Sequence, residues 1–144
     1  TAVDLRSGKF SNLQDWRSQK ITEQTPYVLA PWEFVLAQTF EKVSLPIRED
    51  DALAARVEGK SSFARCGMLV HFTAPTIHAG FSGPIALEII NLGPKPILLY
   101  PKMYVCQLIL EEVKGVPFRN DSQFQNQVNP TGARKRVVKK KGSK

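Results

Sequence analysis

Gly83-Pro84-Ile85-Ala86-Leu87-Glu88-Ile89-Ile90-Asn91 begins with a Gly-Pro break and then runs apolar to Ile90 except for one carboxylate. Read as a strand over 85–91, it places Ile85, Leu87 and Ile89 on one face and Ala86, Glu88 and Ile90 on the other. Similar short runs rich in β-branched or aromatic residues cover 27–29, 33–39, 54–57, 68–72, 96–99 and 104–111. Ten prolines and nine glycines separate them, which predicts an all-β barrel or sandwich rather than a helical domain. The stretch 61–65 predicts a single helical turn. Residues 7–25 are polar and fit neither pattern, and neither a sustained 3.6-residue period nor an internal repeat occurs.

The 144 residues suffice for one domain that buries roughly two-thirds of its unfolded surface. Cys66 and Cys106 lack paired spacing, so free buried thiols in a reducing, cytoplasmic setting are expected. No apolar run approaches the ~20 residues of a membrane span. The formal charge of +7 is concentrated at the C-terminus, where residues 134–144 hold seven of the 20 Lys and Arg, leaving 13 basic against 13 acidic residues elsewhere. Such a tail is expected to be solvated and disordered, with weak polyanion binding as its only route to nucleic acid. The expected division is a barrel over 1–115, an extended Pro/Asn/Gln-rich arm over 116–130 and the basic tail over 131–144.

Gly59-Lys60-Ser61-Ser62 gathers backbone N–H groups, two hydroxyls and an ammonium within four residues, a composition suited to phosphate oxygens. A Walker loop is excluded because Ala54 stands where its first glycine is required. Read alone, the run is also that of an ordinary surface turn, Arg65 that of a surface ion pair, and Glu88 that of a solvent-facing strand residue. The zinc deaminase signature of His-x-Glu with Pro-Cys-x-x-Cys is missing, since neither His71 nor His78 is followed by x-Glu.

Four blocks in fixed order resemble the dCTP deaminase family of the dUTPase superfamily: Val3-Asp4-Leu5-Arg6; Glu58 to Arg65; Thr76 to Glu88; and Pro101 to Leu108. The first begins almost at once and Thr1 is no initiator, so an N-terminal segment is expected to be missing. The resemblance implies a distorted dUTPase-like β-barrel or jelly roll assembling as a homotrimer, with nucleotide sites between subunits and the arm closing over the nucleotide. It implies metal-free hydrolytic deamination of dCTP to dUTP and ammonia, with Mg2+ on the triphosphate and no zinc. Glu88 would be the general base, assisted by Arg65 and Ser61. Lys60 and Ser62 would complete the triphosphate cradle, Thr73 and Ala74 would read the pyrimidine edge, His78 and Phe81 would lie near the sugar, and Gln127 would close the arm. Phe81 read alone is equally a core aromatic.

Two departures qualify the resemblance. The family's Ile-Asp-Pro-Gly appears as Ile77-His78-Ala79-Gly80, and its Lys-Tyr-x-x-Gln as Gln123-Phe124-Gln125-Asn126-Gln127, with Phe118 for an upstream Tyr. Two alternatives stand beside a dUTP-forming deaminase: a bifunctional enzyme releasing dUMP and diphosphate, which no motif separates from it, and a non-catalytic nucleotide-binding relative, motivated by His78 and the altered arm. A dUTPase is disfavoured, because its catalytic Asp would fall at Gly80.

Overall fold

The computed structural model describes residues 17–48, 52–117 and 124–131. The first block, Phe118, Gln123 and nearly all of the basic tail lie outside the described residues. The described chain holds eight strands and one helical turn: β1 Tyr27–Leu29, β2 Phe34–Ser44, β3 Ala52–Gly59, α1 Ser61–Ala64, β4 Met68–Leu69, β5 Thr76–Ile77, β6 Ser82–Asn91, β7 Ile97–Leu99 and β8 Cys106–Val113. All-β architecture is thus as expected. The strands form three antiparallel sheets, ordered β1-β7, β2-β6-β4 and β5-β3-β8, rather than one closed ring.

Alternation along each strand turns one apolar face inward, and those inner faces build a single core. Leu87, Ile89 and Met68 come from the β6 sheet, Ala55, Val57 and Ile77 from the β3 sheet, and Leu29 and Leu99 from β1 and β7. Burying a leucine or isoleucine of this kind stabilises by about 1.5–3 kcal/mol, so this layer carries most of the fold. Asn91 lies in it fully buried, and its amide is satisfied throughout: Nδ2 donates to the Leu29 and Lys95 carbonyls at 3.1 and 2.8 Å, and Oδ1 accepts from Gly93 N–H at 2.9 Å. At the edge of the core, Tyr27 Oη donates to Glu33 Oε1. That hydrogen bond, with burial and the carboxylate's charge adding to it, pushes the Tyr27 pKa up to about 12.

Several boundaries differ from the sequence expectation. β2 runs past residue 39 to Ser44, because an irregularity between Gln38 and Lys42 lets the strand bend and resume pairing with β6. Thr39 stitches that bend, its Oγ1 accepting from Ile85 N–H at 2.9 Å and donating to the Glu41 carbonyl at 2.8 Å. β4 stops at Leu69 instead of reaching residue 72. Glu88 N–H donates to the Val70 carbonyl at 3.1 Å, one position out of the register set by Leu69 and Ile90, and pairing ends there. β5 was not foreseen. Both cysteines are free, but neither is buried as expected: Cys66 is exposed just after the short α1 turn, and Cys106 at the start of β8 is only half-buried. Burial, and then the Glu41 carboxylate, push the Cys106 thiol pKa up.

Candidate active site

Glu88 sits on β6 directly opposite Leu36 of β2, on the outer face with Ala86 and Ile90, while Leu87 and Ile89 face the core. The alternation read from the sequence therefore holds. The carboxylate lies where β4 peels away from β6. Phe72 N–H donates to Glu88 Oε2 at a long 3.4 Å, and Oε1 makes no hydrogen bond among the described residues. The Phe72 ring leans on Phe34, centroids 5.4 Å apart, so the carboxylate has an aromatic wall beside it. One oxygen is held loosely and the other is free, a suitable state for a group that must take a proton from water.

The loop after β4 contributes the next groups. Thr73 and Ala74 are exposed, and their backbone groups have no hydrogen-bond partner among the described residues. Pro75 anchors the loop by accepting from Val57 N–H at 2.9 Å, which ties it to β3 just ahead of Gly59. His71, which the sequence reading used only to exclude zinc, is half-buried with Nδ1 buried and unpartnered. It precedes Phe72, whose N–H meets Glu88, so an orphaned imidazole nitrogen belongs to the same corner. An apolar run on both sides of a single histidine was the signal available for it.

α1 follows β3 as the expected single turn. Lys60 takes an extended conformation before it, and the Phe63 and Ala64 N–H groups return to the Lys60 carbonyl at 3.0 and 2.9 Å. Ser61, Ser62 and Arg65 are exposed, while Phe63 packs against the core and fixes the turn. Arg65 forms no ion pair with Glu88 among the described residues. The chain leaving α1 is fastened to the far end of β6, where Leu92 N–H donates to the Gly67 carbonyl at 2.8 Å. Leu92 is four residues, or roughly 13 Å of strand, beyond Glu88.

The remaining candidates gather at the opposite end of β6. His78 is exposed in the turn that returns the Phe81 N–H to its carbonyl, and Phe81 packs partly buried against the core, as its bare aromatic reading allowed. Gln127 is only 5% exposed and turns toward its own chain, with Nε2 donating to the Pro84 carbonyl at 3.1 Å and Oε1 buried without a partner. Gln125 brackets the same corner, accepting from Ser82 N–H at 2.9 Å and donating to the Gly80 carbonyl at 3.0 Å. Residues 125–127 of the arm thus lie back on residues 80–84 of the same chain. Within one chain, no hydrogen bond or ion pair among the described residues joins the Glu88 carboxylate to the α1 turn or to the His78–Gln127 corner.

A family profile described as dCTP deaminase-like matches residues 1–113. This chain belongs to the dCTP deaminase-like family. Among relatives, a protein of Methanosphaera stadtmanae named "dCTP deaminase, dUMP-forming" is 41% identical over 76% of this chain and 57% of its own length. One of the same name from Leifsonia xyli is 42% identical over 93% of this chain and 76% of its own length. Against most of the first-ranked dCTP deaminases, from 57% to 64% of the relative's length is spanned. The fold is similar to that of native EIAV dUTPase, with a TM-score of 0.51 at 23% identity over 67% of this chain and 78% of the other. A dUTPase-like fold is therefore common to this dCTP deaminase-like chain and that enzyme. Among the described residues, no helix is long and apolar enough to cross a membrane.

Proposed function

We propose that this chain deaminates dCTP and carries the reaction through to dUMP, at sites completed between copies of itself in a closed trimer. The observation that carries the proposal is Glu88, a half-exposed carboxylate with one free oxygen on a rigid central strand, beside a loop whose backbone groups are unpaired. Glu88 takes a proton from water as its oxygen attacks C4 of the cytosine, and delivers protons to the ring nitrogen and the departing amine. Ammonia leaves, and the C4 carbonyl of the uracil forms. Arg65 and Ser61, supplied by a neighbouring copy, stabilise the charge that develops. A guanidinium serves that role well because its fork is planar and permanently charged. A second water then attacks the α-phosphorus and expels diphosphate.

Lys60 and Ser62 would hold the triphosphate, with Mg2+ arriving on the phosphates. Thr73 and Ala74 would meet the base, and His78 would face the sugar of the cytoplasmic deoxynucleotide. The product favours the dUMP reading over the dUTP expectation because the similar proteins are named for that product. A non-catalytic, nucleotide-binding role is the second reading, motivated by His78 in place of an acid and by Gln127 engaged with its own barrel. Incubation with dCTP and Mg2+ followed by separation of products is expected to give dUMP, diphosphate and ammonia. Accumulated dUTP would overturn the second hydrolysis, and tight dCTP binding without turnover would favour the non-catalytic role.

A further inference from the structure

The turn between β7 and β8 sets cations against aromatic rings at two points. Lys102 adopts a left-handed conformation, φ 61°, and its Nζ lies 4.5 Å from the centroid of Phe40. Two residues on, Tyr104 is 79% exposed, yet its ring centroid lies 6.0 Å from Lys60 Nζ, with the Phe63 ring 5.7 Å from the same ammonium. The turn is pinned from within: Tyr100 N–H donates to Met103 Sδ at 3.1 Å, and Val105 N–H to the Met103 carbonyl at 2.9 Å. A side chain this exposed gains little from burial, so the turn and the ammonium define its place. Lysine loses rotamer freedom when it clamps a phosphate, and an ammonium already held between two rings has lost part of that freedom beforehand.

We infer that Tyr104 is a positioning residue which, with Phe63, holds the Lys60 ammonium beside the Ser61–Ser62 turn, ready for the phosphate chain of the nucleotide. This rests on Lys60 being a phosphate ligand, as proposed above. Tyr104 acts through Lys60 and does not itself contact substrate.

Calorimetric titration of the full-length protein, carrying Glu88→Gln throughout so that dCTP is bound and not turned over, with dCTP and with deoxycytidine as the probe lacking phosphate, tests it. Tyr104→Leu is expected to weaken dCTP about two- to fivefold, the range of an exposed cation–π contact. It is expected to leave deoxycytidine unchanged and the thermal midpoint near that of the wild type, whereas Tyr104→Phe keeps the ring and the affinity. In a Lys60→Met background, Tyr104→Leu should have no further effect. In NMR spectra the Lys60 ε-methylene of the wild type is expected upfield of its free position through ring currents, and is expected to move downfield in Tyr104→Leu. Equal weakening by Tyr104→Leu with and without Lys60, or equal loss for deoxycytidine, overturns the inference. If Lys60→Met weakens dCTP while Tyr104→Leu does not, the inference falls and the phosphate reading stands. If Lys60→Met has no effect, both fall.

Discussion

Glu88→Gln is expected to lower the rate of dCTP deamination by 10²-fold or more while leaving dCTP affinity within about tenfold, because a positioned general base typically contributes that much to the rate. The substitution preserves shape. An amide carbonyl can still accept from Phe72 N–H, and a half-exposed position on the outer face of β6 leaves the core layer of Leu87 and Ile89 untouched. Lost activity would then reflect lost basicity rather than unfolding. Single-turnover release of ammonia, with binding measured separately, resolves the two. A variant retaining more than roughly a tenth of the wild-type rate would mean that another group takes the proton from water.

Gly67→Ala is expected to destabilise by about 3–5 kcal/mol, at the upper end of single substitutions and comparable with the whole stability of a marginal domain. Gly67 has φ 92°, and an added Cβ would fall 2.2 Å from Gly93 N, 2.5 Å from Gly93 Cα and 2.9 Å from the Leu92 carbonyl carbon. All three are backbone atoms, so no rotamer change relieves the clash. The segments would have to separate, losing the hydrogen bond from Leu92 N–H to the Gly67 carbonyl that fastens the α1 turn to β6. Urea denaturation checks this against Gly115→Ala, where φ is also positive at 87° but nothing lies within 4 Å of the new Cβ. That control should cost only the ~1–2 kcal/mol of left-handed backbone strain. Equal effects of the two substitutions would show that the close backbone approach carries no stability.

The parts of the fold legible in the sequence were those with a local cause. β6 announced itself through an apolar run with a single carboxylate after a Gly-Pro break, and α1 through a Ser-Ser-Phe-Ala run too short for more than one turn. β5 was illegible because a two-residue strand, set between Pro75 and the turn at His78, leaves no alternation to read. The extension of β2 depends on the Thr39 hydroxyl meeting Ile85, a partner 46 residues away. The candidate site divides in the same way. Glu88, Arg65 and Ser61 could be picked out by motif, but motif spacing says nothing of how far apart the fold holds them. For Gln127, residue identity was readable and burial against Pro84 was not, since that contact spans 43 residues. Tyr104 lay inside the Pro101–Leu108 block with no role attached, and became notable only when the turn after β7 set its ring over Lys60.

In the proposed trimer, the carboxylate and the guanidinium of one site come from different copies of the chain. Glu88→Gln and Arg65→Ala, each inactive alone, should complement when their subunits are dissociated, mixed in equal amounts and allowed to reassemble. Random assortment around a closed ring leaves about one interface in four with both residues intact, so the mixture should recover roughly a quarter of the wild-type dCTP deamination rate. A mixture as inactive as either variant, in reassembled rings shown to contain both chains, would contradict the claim.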